Sequence, residues 1–284
     1  MKYLALFLSC LSLAGCFGGG GGGAPAPNLP IQDASTIRAA IGGSPLNMSP
    51  EQLRSEGQRI IGASDRIVST DVVTTGGQTL FSTACSGNLC RIGGTTYYIS
   101  DLAVPDDIGS VMTHNGVGVW QGRQQTQLGD VQAQADELGG FTRHSAFAVV
   151  AESYSQGQEA VGPFAYAVAF GDSTGSVPSS GSATWRGVVT GGSLSRNEGF
   201  VGDATLRANF AASNIDAAFT NIHEAETGAS RSSIRYSDIP FTRDGFARGS
   251  GRDMISGKFF GPGHAEAAGV FQRGSIIGAF GAKR

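Results

Sequence analysis

From Asp65 to the end of the chain, short runs alternate apolar and polar residues between turns rich in Gly, Asn and Ser. In DATLRANFAAS, Ala204, Leu206, Ala208 and Phe210 share one face of an extended strand, and Thr205, Arg207 and Asn209 share the other. NIDAAFTNI repeats this with Ile215, Ala217 and Phe219. With ATWRGVVTG, SIRYSDIPF, MISGKFFG, AAGVFQRG and SIIGAFGAK, the second half predicts seven or eight short, evenly spaced strands, the pattern of a sandwich or barrel. Upstream, RIVSTDVV, TLFSTACS, TTYYIS, GVGVWQGR, HSAFAVVAE and PFAYAVAFG also predict strands. Their apolar runs exceed strict alternation, so both faces are expected to be partly covered.

One segment has helical spacing, Ser49 to about Ala63. Ser49 is an N-cap, Pro50 suits the first helical position and Gln52 completes a capping box, while Leu53, Ile60 and Ile61 lie near one face. The preceding DASTIRAAIG offers a shorter helical turn. The loop STGSVPSSG, from Ser173 to Gly181, marks the clearest boundary. The expected fold is therefore mainly β: a helical segment (31–64), a β-rich domain (65–178) and an eight-stranded antiparallel barrel (179–284). Short strands with Arg207 and Lys258 in mid-strand suit a soluble barrel rather than a membrane-spanning one. Gly and Ala between Phe and Ile in the last strands are expected to fit a tapering barrel interior and close backbone approach.

The N-terminus adds a location. Lys2 precedes an apolar run too short to span a bilayer, and Leu13-Ala14-Gly15-Cys16 resembles a bacterial lipobox. Residues 1–15 are expected to be a signal peptide and Cys16 to carry diacylglycerol and a further acyl chain such as palmitate, a stable membrane anchor. Phe17, standing where an Asp would signal inner-membrane retention, points by resemblance to the outer membrane. Residues 16–30, Gly-rich then Pro-rich, form the lipidated tether. Cys85 and Cys90 in TACSGNLCRI remain, and a hairpin bringing two strand ends together makes a structural disulfide the expectation. A zinc site would need two further ligands, and no second Cys or His pair lies nearby.

Charged residues are 15% of the chain and the net charge is −3, with no basic cluster, which argues against nucleic acid or a polyanion as the main partner. FGDSTGS (170–176) is similar to the surroundings of a serine nucleophile, but His114 and His144 lack the context of a base and Thr174 replaces a glycine. GSGRDMISGKFF has the wrong spacing for a phosphate loop and precedes a strand. His114, His144, His223 and His264 form neither a helical pair nor a Cys/His cluster, and His264 is expected to be exposed in its turn. No metal, cofactor or catalytic set is therefore expected. Trp120, Trp185, Tyr97, Tyr98 and Tyr236 are candidate contact aromatics or half-buried strand residues.

At the C-terminus, ISGKFFGPGHAEAAGVFQRGSIIGAFGAKR resembles the closing strands of the barrel of transferrin-binding protein B. Gly257, Phe259, Gly261, Pro262, Glu266, Gly269, Phe271, Gly278, Phe280 and Gly281 match its turn and packing positions, and Phe260 replaces a Tyr. VPSSGSATWRG resembles the strand that opens that barrel, and the Cys-Phe-oligo-Gly tether resembles the anchors of these surface lipoproteins. The resemblance covers about the last 105 residues. It implies a small "handle" domain before the barrel and a non-catalytic, surface-exposed binder. Partners in that family include transferrin, haemoglobin, complement factor H and heparin. The expected partners here are a host or environmental protein, haem or an iron carrier, together with an outer-membrane receptor or translocator. The chain has room for one handle–barrel lobe where transferrin-binding protein B has two. The matching positions transfer no ligand-binding residue. The alternative is a structural or accessory envelope lipoprotein partnering another outer-membrane protein, with a hydrolase the least supported.

Overall fold

A computed structural model of the chain describes residues 31, 33–70, 72–74, 79–81, 83–86, 89–92, 95–98, 107–128, 131–156, 159–173, 180–193, 195–196, 198–242 and 245–284, with the backbone alone described over 72–98, 126–133 and 152–164. The signal-peptide, tether and Cys16 expectations lie outside these residues.

Among the described residues, two helices come first. Helix α1 (Ala34–Ile41) starts where the Asp33 side chain accepts from the Ser35 amide and stops at Gly42, whose φ of 76° lets its amide turn back to the Arg38 carbonyl. Helix α2 (Pro50–Ala63) has the expected reciprocal capping box, the Ser49 amide donating to Gln52 Oε1 at 2.7 Å and the Gln52 amide to Ser49 Oγ at 3.3 Å. Leu53, Ile60 and Ile61 are buried, as their spacing predicts.

Among the described residues the strands up to position 171 are β1 (Arg66–Ser69), β2 (Val72–Thr74), β3 (Thr79–Phe81), β4 (Thr83–Ser86), β5 (Leu89–Ile92), β6 (Thr95–Tyr98), β7 (Asp107–His114), β8 (Val117–Leu128), β9 (Val131–Phe141), β10 (Ser145–Gln156) and β11 (Glu159–Gly171). The main sheet runs β3-β2-β11-β10-β9-β8-β7, with β1 also on β11, and β4-β5-β6 form a small separate sheet.

Beyond position 171 come β12 (Ser182–Ser193), β13 (Glu198–Asn209), β14 (Asn214–Glu224), the two-residue β15 (Ser230–Arg231), β16 (Ile234–Thr242), β17 (Gly245–Ser250), β18 (Asp253–Phe260), β19 (Glu266–Arg273) and β20 (Ile276–Lys283). Apart from β15, these are eight antiparallel strands in up-and-down order. The barrel closes where β20 pairs β12 from Lys283↔Arg186 to Ile276↔Ser193. Its interior holds Trp185, Leu206, Phe219, Tyr236, Phe271 and Phe280, with polar residues on much of the outside. A membrane-spanning barrel would have the inverse arrangement.

The two units share a core. One face of the main sheet is covered by α2, where Leu53, Ile60 and Ile61 meet Ile67, Trp120, Val150, Tyr166 and Phe170. The opposite face, with Val119, Leu138, Phe147, Val149 and Ala167, packs on the outer wall of the barrel, against Val188, Val201, Phe260, Val270 and Ile277. Both faces are covered, which is why the strands depart from strict alternation. The last barrel strands are buried on both sides for the same reason. Phe271 and Phe280 point inward, while Ala268, Val270, Ile277 and Ala279 point outward into the interdomain core. Ala268, Ala279 and Gly281, small residues expected in the interior, thus belong to a domain interface.

Three strands lack the sequence pattern of the others. In β9 the buried Asp136 occupies a position an apolar residue would mark, and it is satisfied by Arg123 Nε at 2.6 Å and Gln134 Nε2 at 3.0 Å. In β17 only Phe246 is buried, and in β7 the alternation breaks at the bulge between Ser110 and Met112.

Candidate binding surface

The residues singled out in the sequence fall into two groups, those built into the fold and those left outside it. Trp120, Trp185 and Tyr236 are core residues. Trp185 Nε1 donates to the His264 carbonyl at 2.9 Å, and Tyr236 Oη donates to the Gln272 carbonyl at 3.0 Å. Burial pushes the Tyr236 phenol up to about 12, against the opposing effect of Arg273, whose guanidinium lies 4.4 Å from the ring centroid. For Tyr97 and Tyr98, the description stops at their places in β6. Cys85 and Cys90 are directly opposed in the β4–β5 register.

Nor do the histidines gather into a catalytic set. His114 Nε2 lies 2.6 Å from Asp203 Oδ1, and His144 Nδ1 lies 3.7 Å from Asp172 Oδ2. His223 pairs locally, with the Gly228 carbonyl and Asn221. His264 is buried, contrary to the exposure expected from its turn, because the Pro262–His264 3-10 turn folds back under Phe259 and Trp185. Burial first, then the nearby Arg284 and Arg66, hold its imidazole below the ordinary histidine value. Its Nδ1 is buried without a hydrogen bond. In FGDSTGS, Ser173 donates to Asp65 at 2.6 Å rather than to a histidine. Among the described residues no group of three His, Cys, Asp or Glu side chains could hold a metal ion.

The seam between the units gathers the most heavily bonded polar groups. Glu266, at the start of β19, is buried beneath the 142–145 turn of the main sheet. Its carboxylate accepts from Thr142 Oγ1, from Ser145 Oγ at 3.0 Å, and from the amides of Arg143 and His144, each at 3.0 Å. At another point the β7–β8 turn reaches the barrel through His114–Asp203 and through Asn115 Nδ2, which donates to the Gly187 carbonyl at 3.3 Å. Sequence inspection marks Glu266 as a motif position and gives no sign of its hydrogen-bond partners, which lie more than 120 residues away.

Part of the barrel wall is open to solvent, and it begins at the seam, where the Lys283 side chain lies against Gly116 of the β7–β8 turn. Its exposed positions include Arg186 on β12, Arg207 on β13, Asp216 on β14, Arg235 and Asp238 on β16, and Lys283 on β20. These are far apart in sequence and neighbours on the wall. An apolar crevice also lies under α2, lined by Leu53, Gly57, Trp120, Phe141 and Phe170, and offers no polar group for orienting a ligand.

No protein-family model matches the chain, and no curated protein matches it in sequence. Solved structures do resemble it. Intact Ap-TbpB, comprising N and C lobes, aligns with 76% of this chain at 13% identity and a TM-score of 0.44; the chain spans 45% of that protein's length. The isotype 1 transferrin-binding protein B of serogroup B Neisseria meningitidis aligns with 77% of this chain at 14% identity and a TM-score of 0.38, over 43% of its own length. A structure described as a surface lipoprotein aligns with 77% of this chain and 98% of its own, at 12% identity and a TM-score of 0.36. The chain is thus structurally similar to transferrin-binding protein B lobes and a surface lipoprotein, at low sequence identity.

Proposed function

We propose that this chain is a non-catalytic binding protein of the cell surface, held to the outer membrane by lipid on Cys16 and carried clear of it by the 16–30 tether. The observation carrying this reading is how the described polar groups are used. Interdomain and core contacts take up His114, His264, Glu266 and the buried aromatics, leaving a two-part body with an open barrel wall. Such a body suits recognition by an exposed surface on a fixed scaffold. The lipobox supports the anchor. The motif resemblance over 257–281 suggests the partner class to test first, an iron-carrier protein or haem.

Protease shaving of whole cells, with a Cys16→Ser variant beside the native protein, tests location: the native chain should be cleaved from outside and the variant should not be retained on the surface. Immobilised protein should then capture a transferrin-type carrier or haem from a defined mixture. Protection from protease in intact cells, together with no capture of either, would overturn the proposal.

A further inference from the structure

The open wall of the barrel treats its two signs of charge differently. Strand register places Lys283, Arg186, Thr205, Ala218 and Arg235 in one row across β20, β12, β13, β14 and β16. Arg207, two positions along β13, stands opposite Thr184 and Asp216. The carboxylates of this wall all have partners within the chain. Asp203 faces His114 and Asn115, Asp216 accepts from the Asp238 amide at 2.9 Å, and Asp238 accepts from Asn214 Nδ2 at 3.1 Å. Glu266, beside Lys283 in the β19–β20 register, is occupied by the 142–145 turn. Arg186, Arg207, Arg235 and Lys283 are exposed, and among the described residues none makes an ion pair or a side-chain hydrogen bond.

This segregation has a physical consequence. Arg186 and Lys283 are directly opposed on the outer face, and like charges so placed repel. An anion between them would reverse the sign of that interaction. Arg186 and Arg235 are three strands apart, on the order of 14 Å at about 4.8 Å per strand, so one small anion cannot serve the row. Several carboxylates along a chain can. Guanidinium groups favour planar, bidentate carboxylate recognition, and the small Thr205 and Ala218 between the arginines leave a shallow floor for a backbone to cross. The convex wall presents its cations a few at a time, and the net charge of −3 opposes broad attraction to an anionic membrane.

We propose that the barrel face carrying Arg186, Arg207, Arg235 and Lys283 docks an extended acidic segment of a partner protein. This rests on the binding-protein reading above and supplies the partner's chemistry. The test uses the full chain with a fluorescent decaglutamate peptide, a decalysine peptide as control, and vesicles containing an anionic phospholipid as a third arm. Decaglutamate should bind with an affinity that falls as salt is raised, and decalysine should not. An Arg186→Gln/Arg207→Gln/Arg235→Gln variant, altered only at exposed positions, should keep its melting temperature and lose at least about tenfold in affinity, about 1.4 kcal/mol. Absence of decaglutamate binding, or equal binding by the variant, would overturn the proposal. So would binding of vesicles through these arginines without binding of the peptide. If the peptide fails while a carrier protein is still captured, the acidic-segment proposal falls and the binding-protein reading stands.

Discussion

Phe271 and Gly278 face each other across β19 and β20, and the phenylalanine ring occupies the space where a side chain on residue 278 would begin. A Cβ there would lie 2.3 Å from the ring carbons. Phe280 covers Gly269 and Phe246 covers Gly257 in the same way. Each glycine gives up its own packing surface, and the ring opposite restores it while shielding the backbone. Gly281 does the same across the domain boundary, receiving Phe147 of the main sheet. The alternation of glycine and phenylalanine is therefore a cross-strand code in which one member of each pair must lack a side chain.

A Gly278→Ala substitution should destabilise the barrel by about 1–3 kcal/mol through overpacking. Denaturant melts of the two proteins measure this directly. An unchanged midpoint would show that the Phe271 ring has room to retreat.

Glu266 makes a sharper prediction. Replacing it with Ala removes the acceptor shared by the buried Thr142 and Ser145 hydroxyls and the part-buried Arg143 and His144 amides, a loss of about 2–3 kcal/mol. Hydrogen exchange at the Arg143 and His144 amides should accelerate more than at the barrel core. Uniform acceleration across both units would mean that Glu266 contributes to global stability without specifically joining them.

His264 governs a pH dependence. Its folded-state pKa is lowered, so the unfolded chain binds a proton more readily. The contribution is fully present above the ordinary histidine value and declines as pH falls below it, until the folded form also protonates. A His264→Asn variant, whose side chain tolerates the local φ of 59°, should show a flatter fall in stability below pH 6.5 than the native protein. Parallel curves for the two proteins would remove His264 from the account.

The opposed backbone positions of Cys85 and Cys90 lead us to expect a disulfide in protein recovered from an oxidising compartment. Intact-mass comparison before and after reduction and alkylation of the Cys16→Ser form should show both thiols blocked until reduction. Immediate alkylation of both without reductant would exclude the bond.

Much of this architecture is local and therefore readable along the chain. The α2 capping box involves residues three apart, the barrel strands alternate with the period of a pleated backbone, and Gly261 and Gly263 mark the turn before β19. Where burial alternates, a strand announces itself. Where it does not, as in β17 or around Asp136 in β9, the sequence is silent because the deciding contact comes from another strand. His264 is a turn residue by sequence, and only the fold buries it by bringing Trp185 over it. The charge row is the clearest division between the two levels. The sequence by itself determined a cationic residue at each of positions 186, 207, 235 and 283, too widely separated to form a cluster. Strand register alone made them neighbours, because hydrogen-bonded pairing fixes which residues from distant strands stand side by side on the outer face of the barrel.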